Sequence, residues 1–335
     1  MDVTTVADDL IVLHDGAEVT RLTGLQPSTS YTVLGHQVTT LSRPAGELLA
    51  RFATVNDVHF GEIECGRIGD SPEGPIQRAL PGEAPYPETM NRGAVAEILE
   101  LDAAAVIVKG DVTADGQPEE FADFERHYRT AFGDRLHVVR GNHDSYRGQD
   151  VFSGDRWIEL PGVAIALLDT VTPCETNGSL RAEQLEWLDA MAAQSDRPVL
   201  AMGHHQQWID GTAHDHRSEQ YFGLQPDPSD ALAAVVARRQ SIVAYTAGHT
   251  HRHRVRHMPC GVPSIEIGCV KDFPGTWAEY RVYEGGITQV VHRVSTPEAL
   301  SWSERCRQLY RDFGVNYETY ALGALEDRCC NIPLR

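Results

Sequence analysis

Five short polar stretches carry side chains suited to holding metal ions. They read Asn56-Asp57-Val58-His59, Gly110-Asp111, Gly141-Asn142-His143-Asp144, Gly203-His204-His205 and Gly248-His249-Thr250-His251. In the last, two histidines one residue apart follow a glycine that lets the backbone come close, so both imidazoles can approach one small volume. Pooled, Asp57, His59, Asp111, Asn142, His204, His249 and His251 offer carboxylate, imidazole and amide donors and no thiolate. Such a set suits divalent or trivalent Mn, Fe, Zn or Co. Seven donors exceed the needs of one ion, and a carboxylate can bridge. The expectation is two metal ions about 3.5–4 Å apart.

Each stretch needs an element to deliver it. Ala50–Val55 precedes Asp57, Ala104–Val108 precedes Asp111, Leu136–Val139 precedes Asn142, Pro198–Met202 precedes His204, and Ile242–Tyr245 precedes His249. These are short apolar runs of the kind that form buried strands. Between them, residues 89–101, 117–132, 181–193 and 230–239 repeat apolar side chains at helical spacing. Strands alternating with helices predict an α/β fold with a parallel centre. The polar clusters then sit past the C-terminal strand ends, where open α/β sheets place ligands. Residues 263–293 alternate in short runs that suggest antiparallel strands closing a second sheet. The predicted organisation is a small β-extension over 1–48, a catalytic domain over 49–295, and a helix with an aromatic tail over 296–335. The Gly/Pro-rich stretch 61–88 reads as an active-site rim or as disorder.

Composition narrows the function classes. The 335 residues carry 29 Lys and Arg against 48 Asp and Glu, a net charge of −19. A chain this acidic is not expected to grip a nucleic-acid backbone. No run approaches the roughly 18 apolar residues of a membrane span, and the first twenty residues lack the basic start and apolar core of a signal peptide. Seven cysteines without metal spacing read as reduced thiols. A cytoplasmic location and no membrane partner are expected.

In order and spacing, Asp57-x-His59, Gly110-Asp111, Gly141-Asn142-His143-Asp144, Gly203-His204 and Gly248-His249-Thr250-His251 resemble the calcineurin-like metallophosphoesterases. The resemblance covers about residues 50–270 and implies a two-sheet αββα sandwich. It also implies that Asp57, His59, Asp111 and His251 bind one metal, that Asp111 bridges, and that Asn142, His204 and His249 complete the second site. By the same resemblance, a metal-bound hydroxide attacks phosphorus in a small phosphate ester. His143, beside the ligand Asn142, would then stabilise charge or protonate the leaving oxygen, and Asp144 would orient that imidazole.

Departures narrow the subfamily. Purple acid phosphatases carry a tyrosine three residues after the bridging Asp, where this chain has Ala114. Protein Ser/Thr phosphatases use an Asp-Arg-Gly phrase, where this chain has Val112-Thr113-Ala114-Asp115-Gly116. The pattern looks most like bacterial cyclic-nucleotide and glycerophosphodiester phosphodiesterases, with a broad phosphomonoesterase or a non-catalytic scaffold as alternatives. Candidate substrate contacts in the flanking segments are His205, His214, His216, Arg92 and His253.

Overall fold

A strand sends successive side chains to opposite faces, and the central strands here are apolar on both. In the computed structural model, which describes residues 1–209 and 221–335, this pattern produces two stacked sheets. One runs, edge to edge, Cys330–Pro333, Gly286–Arg293, Thr276–Tyr283, Leu48–Val55, Val106–Lys109 and Leu136–Val139. The other runs Arg254–His257, Pro263–Glu266, Ile242–Ala247, Val199–Met202, Val163–Leu167 and Arg156–Leu160. In the first sheet the strands ending before Asp57, Asp111 and Asn142 are parallel. In the second, those ending before His204 and His249 are parallel. Antiparallel strands complete both sheets, in keeping with the alternation over 263–293.

The alternation sorts the core into layers. Phe52, Ile107 and Val139 face Ile165, Leu200, Met202 and Val243 between the sheets. Their neighbours Ala53, Val106, Val108 and Val138 turn outward onto helix Tyr86–Leu101, which presents Tyr86, Met90, Ala94 and Ile98 at one-turn spacing. On the far side, Val199, Ala201 and Tyr245 pack on Leu188 and Ala192 of helix Ala182–Gln194 and on Leu232 and Val236 of helix Pro226–Arg238. The result is helix, sheet, sheet, helix.

Both chain ends join this body. Val6, Ile11, Leu13, Val33 and Val38 enter the central core. Strands Asp2–Val6 and Cys330–Pro333 are unread in the sequence; the latter pairs with Gly286–Gln289 and supplies a sheet edge. The segment after 296 packs Trp302, Leu309, Tyr317 and Ala321 on the outer face of the first sheet. No helix among the described residues is long and apolar enough to cross a membrane, and the seven cysteines are free.

Candidate metal centre

The five stretches leave the strand ends through sharp turns. Asp57, His59, Asp111, His249 and His251 all have positive φ, between 51° and 68°. Non-glycine residues rarely adopt that conformation, which costs on the order of 1 kcal/mol each and clusters at functional sites. Here it lets consecutive motif residues turn toward one point. Gly141 is required by close approach, since a Cβ there would overlap the Asp111 carboxylate.

At that point four acceptors converge. His204 Nε2 lies 3.0 Å from Asn142 Oδ1, 3.1 Å from His249 Nδ1 and 3.3 Å from Asp111 Oδ2. Protons can be assigned from the outer contacts. His204 Nδ1–H donates to the Lys109 carbonyl at 2.8 Å, and His249 Nε2–H donates to the Phe222 carbonyl at 3.0 Å. The Asn142 amide nitrogen donates to Tyr146 Oη at 2.6 Å, which turns its oxygen inward. Each inward atom of the neutral set is therefore a lone pair. Ligand atoms each about 2.1 Å from one ion and about 90–105° apart would lie about 3.0–3.3 Å from one another. The spacing fits a shared cation.

Beside it, His59 Nε2 lies 3.6 Å from Asp111 Oδ2, and His251 Nε2 lies 3.7 Å from Asp57 Oδ1. Asp57, His59 and His251 together can hold a metal ion. His59 is buried and neither ring nitrogen has a hydrogen-bond partner. A buried imidazole left so is rare, and a cation beside Asp111 would satisfy it. The electrostatics show that the site draws in positive charge. Burial alone would lower the pKa of His204, but Asp111 outweighs it and pushes it up to about 9. Burial likewise opposes ionisation of Asp111, and His204 and His143 reverse this and hold it well below the usual carboxylate range.

The site's mouth is formed by partly exposed groups. The His143 ring stands 4.6 Å from that of His59 and 4.7 Å from that of Tyr146. His143 Nδ1–H donates to the Ala114 carbonyl at 2.6 Å. Asp144 does not orient it, contrary to the sequence reading. Its buried carboxylate accepts from the backbone N–H groups of Val112, Thr113 and Gly141 and from the Thr113 hydroxyl. It clamps the Asp111 loop to the Asn142 loop, because both loops turn their amides toward it.

The substrate-contact candidates fare differently. His205 is buried, with Nδ1 against the Thr170 hydroxyl and Nε2–H donated to the Thr176 carbonyl, although its ring is 4.7 Å from that of His249. It braces the site rather than facing a substrate. His253 is also buried, between the Gly268 amide and the Thr276 hydroxyl, because the chain turns inward there to start strand Arg254–His257. Arg92 is exposed on helix Tyr86–Leu101 and lines a separate cavity of about 440 Å³ with Glu83, Trp302 and Arg305, which none of the candidate ligands touches. His214 and His216 lie outside the described residues. Sequence reasoning missed Tyr146, Asp272 and Lys109. The buried Lys109 Nζ donates to Thr246 Oγ1 and joins the two sheets.

A family model described as calcineurin-like phosphoesterase matches residues 50–253. The chain belongs to that family. This calcineurin-like phosphoesterase is 28% identical, over 153 residues or 44% of its length, to a "probable cyclic nucleotide phosphodiesterase" of Synechococcus sp.. The match spans 57% of that relative. Among solved structures, it shares its fold with a dimetal phosphatase from Danio rerio, at 15% identity and a TM-score of 0.56 over 86% of this chain and 100% of the other.

Proposed function

We propose that this phosphoesterase hydrolyses a small phosphodiester at the convergent site. Asp57, His59, Asp111 and His251 hold one metal ion, and Asp111, Asn142, His204 and His249 hold the other, with Asp111 shared. The observation that carries this reading is the meeting of His204, His249, Asn142 and Asp111 around one point, where their inward atoms need a cation between them. Bound there, two divalent or trivalent ions lower the pKa of water towards about 7 and offset charge on phosphoryl oxygens.

The protein's own groups supply the rest. His143 has its Nδ1–H committed to Ala114, so Nε2 is the nitrogen available to a ligand. As the imidazolium, with a second proton on Nε2, it would stabilise charge on the phosphoryl group or give that proton to the leaving oxygen. Its backbone N–H donates to Asp111 Oδ1 at 3.0 Å, which ties the acid to the shared ligand. The Synechococcus relative supports a diester substrate, cyclic nucleotides among them.

The test uses the full chain loaded with Mn²⁺, offered bis(4-nitrophenyl) phosphate or 4-nitrophenyl phosphate. Diester turnover that is lost in Asn142→Ala and His143→Ala supports the proposal. Turnover of the monoester alone makes the protein a phosphomonoesterase. Absence of any metal-dependent hydrolysis makes it a binding scaffold.

A further inference from the structure

The two histidine-rich half-sites are oriented by different means. On the His204 and His249 side, both outer imidazole N–H groups go to backbone carbonyls. On the His251 side, Nδ1–H donates to the carboxylate of Asp272 at 3.2 Å. That bond fixes the tautomer and leaves the Nε2 lone pair facing Asp57. Asp272 is fully buried. Its other oxygen accepts from Tyr317 Oη at 2.7 Å and from the Cys269 thiol at 3.1 Å. Donors therefore face acceptors around Asp272, the opposite of the arrangement at His204. The cluster of His251, Cys269 and Asp272 is a support and not a further metal site.

Tyr317 opens the short helix Tyr317–Leu322 near the C-terminus. The same helix grips the histidine motif twice more. Tyr320 Oη donates to the carbonyl of Thr250, the residue between the two histidines, at 2.9 Å. The backbone N–H of His253 donates to the Ala321 carbonyl at 3.1 Å. The Arg252 guanidinium lies 5.1 Å from the centre of the Tyr320 ring. Both Asp272 and the helix fall outside residues 50–253, the part of the chain matched by the family model.

We propose that the C-terminal helix is a positioning element of the metal centre, with Tyr317 acting through Asp272 to aim His251 at its ion. The proposal rests on the reading of His251 as a metal ligand. Removing the tyrosine hydroxyl leaves the buried carboxylate one donor short, free to rotate away from Nδ1. The imidazole then loses its fixed orientation and part of its basicity. Loss of such an outer partner typically weakens metal binding by about 10–100-fold.

The experiment measures Mn²⁺ binding to the metal-stripped full chain by calorimetry, with melting temperatures recorded without metal. Wild type, His251→Ala, Asp272→Asn and Tyr317→Phe are compared. Wild type is expected to bind two ions, and His251→Ala to lose one site. Asp272→Asn and Tyr317→Phe should weaken that same site by about 10–100-fold and leave the other unchanged. Tyr317→Phe removes a single oxygen, so it carries the test if Asp272→Asn does not fold. Wild-type affinities in Tyr317→Phe, or equal weakening of both sites alongside a lower metal-free melting temperature, overturn the positioning role while His251 stays a ligand. If His251→Ala binds both ions as tightly as wild type, the ligand reading falls and the proposal with it.

Discussion

Two regions bury clusters of polar groups and resolve them in opposite ways. At the seam between the N-terminal strands and the first sheet, every named donor meets an acceptor. Arg281 reaches Asp8 at 2.7 Å, Asp9 at 2.8 Å and Glu279 at 2.9 Å, and His292 Nε2 reaches the same Glu279 at 3.1 Å. At the strand ends, the inward atoms of the neutral groups are all acceptors, and neither ring nitrogen of His59 has a hydrogen-bond partner. A buried polar cluster whose donors and acceptors match needs nothing from outside and serves the fold. One whose lone pairs converge is complete only with a cation. The mismatch, rather than the number of buried charges, separates a site from a seam.

The sharpest way to break this contrast is at Asp111, which both half-sites share. Asp111→Asn keeps the shape and removes the charge that the converging imidazoles face. Metal-dependent hydrolysis should fall by at least about 10³-fold, since several kcal/mol of transition-state stabilisation depends on the ions. Metal content should drop below two per chain, read by elemental analysis after dialysis. Retention of two ions would remove Asp111 from the bridge. The matching substitution at the seam is Arg281→Met. It takes one partner each from the buried carboxylates of Asp8 and Glu279, which keep Arg43 and His292, and should cost about 1–3 kcal/mol in urea unfolding, with metal content unchanged. A change in metal content there would mean that the two regions are not independent.

His143→Ala sharpens the contrast within the site. The side chain touches the mouth, whereas its backbone N–H holds Asp111. The variant should bind both ions and lose about 10²–10⁴ in kcat, the usual worth of an acid–base group. Loss of an ion in this variant would move His143 from chemistry to ligation.

How much of this was legible in the sequence follows the range of the forces involved. The α/β order and the layer pattern were readable because strand alternation and helical spacing are local. The candidate ligands were readable because only a few side-chain types carry suitable lone pairs, and each follows an apolar run. What orients them was not. His251 meets Asp272 across 21 positions and Asp272 meets Tyr317 across 45, so no spacing rule links them. Asp144 was assigned to its neighbour His143, yet its carboxylate turns to the amides of a loop some thirty residues upstream. His253 continued the histidine alternation by eye, but the chain turns it inward after His251. The terminal strands went unread because they are short and weakly patterned: Asp2–Val6 pairs with its neighbour Leu10–Asp15, and Cys330–Pro333 pairs with Gly286–Gln289 at a sheet edge.

The smallest predicted effect tests the completed region by pH. His14 is fully buried between the hydroxyls of Thr4, at 2.8 Å, and Ser295, at 3.1 Å. Burial, with Arg293 and Arg21 adding repulsion, pushes its pKa from 6.5 down to about 3. The folded protein therefore keeps His14 neutral where the unfolded chain already binds a proton. Its contribution is fully present above pH 6.5 and is lost progressively as pH falls from there towards 3. Between pH 7 and 5 the loss should be roughly 2 kcal/mol, at 1.36 kcal/mol per pH unit below the unfolded value. Gln at this position can meet both hydroxyls without titrating. Unfolding of wild type and His14→Gln, followed in urea at pH 7 and 5, should differ by that amount in pH dependence. The remaining buried histidines are common to both proteins and cancel. Parallel curves would mean that His14 takes a proton inside the fold, and that the seam accommodates charge as readily as the metal centre does.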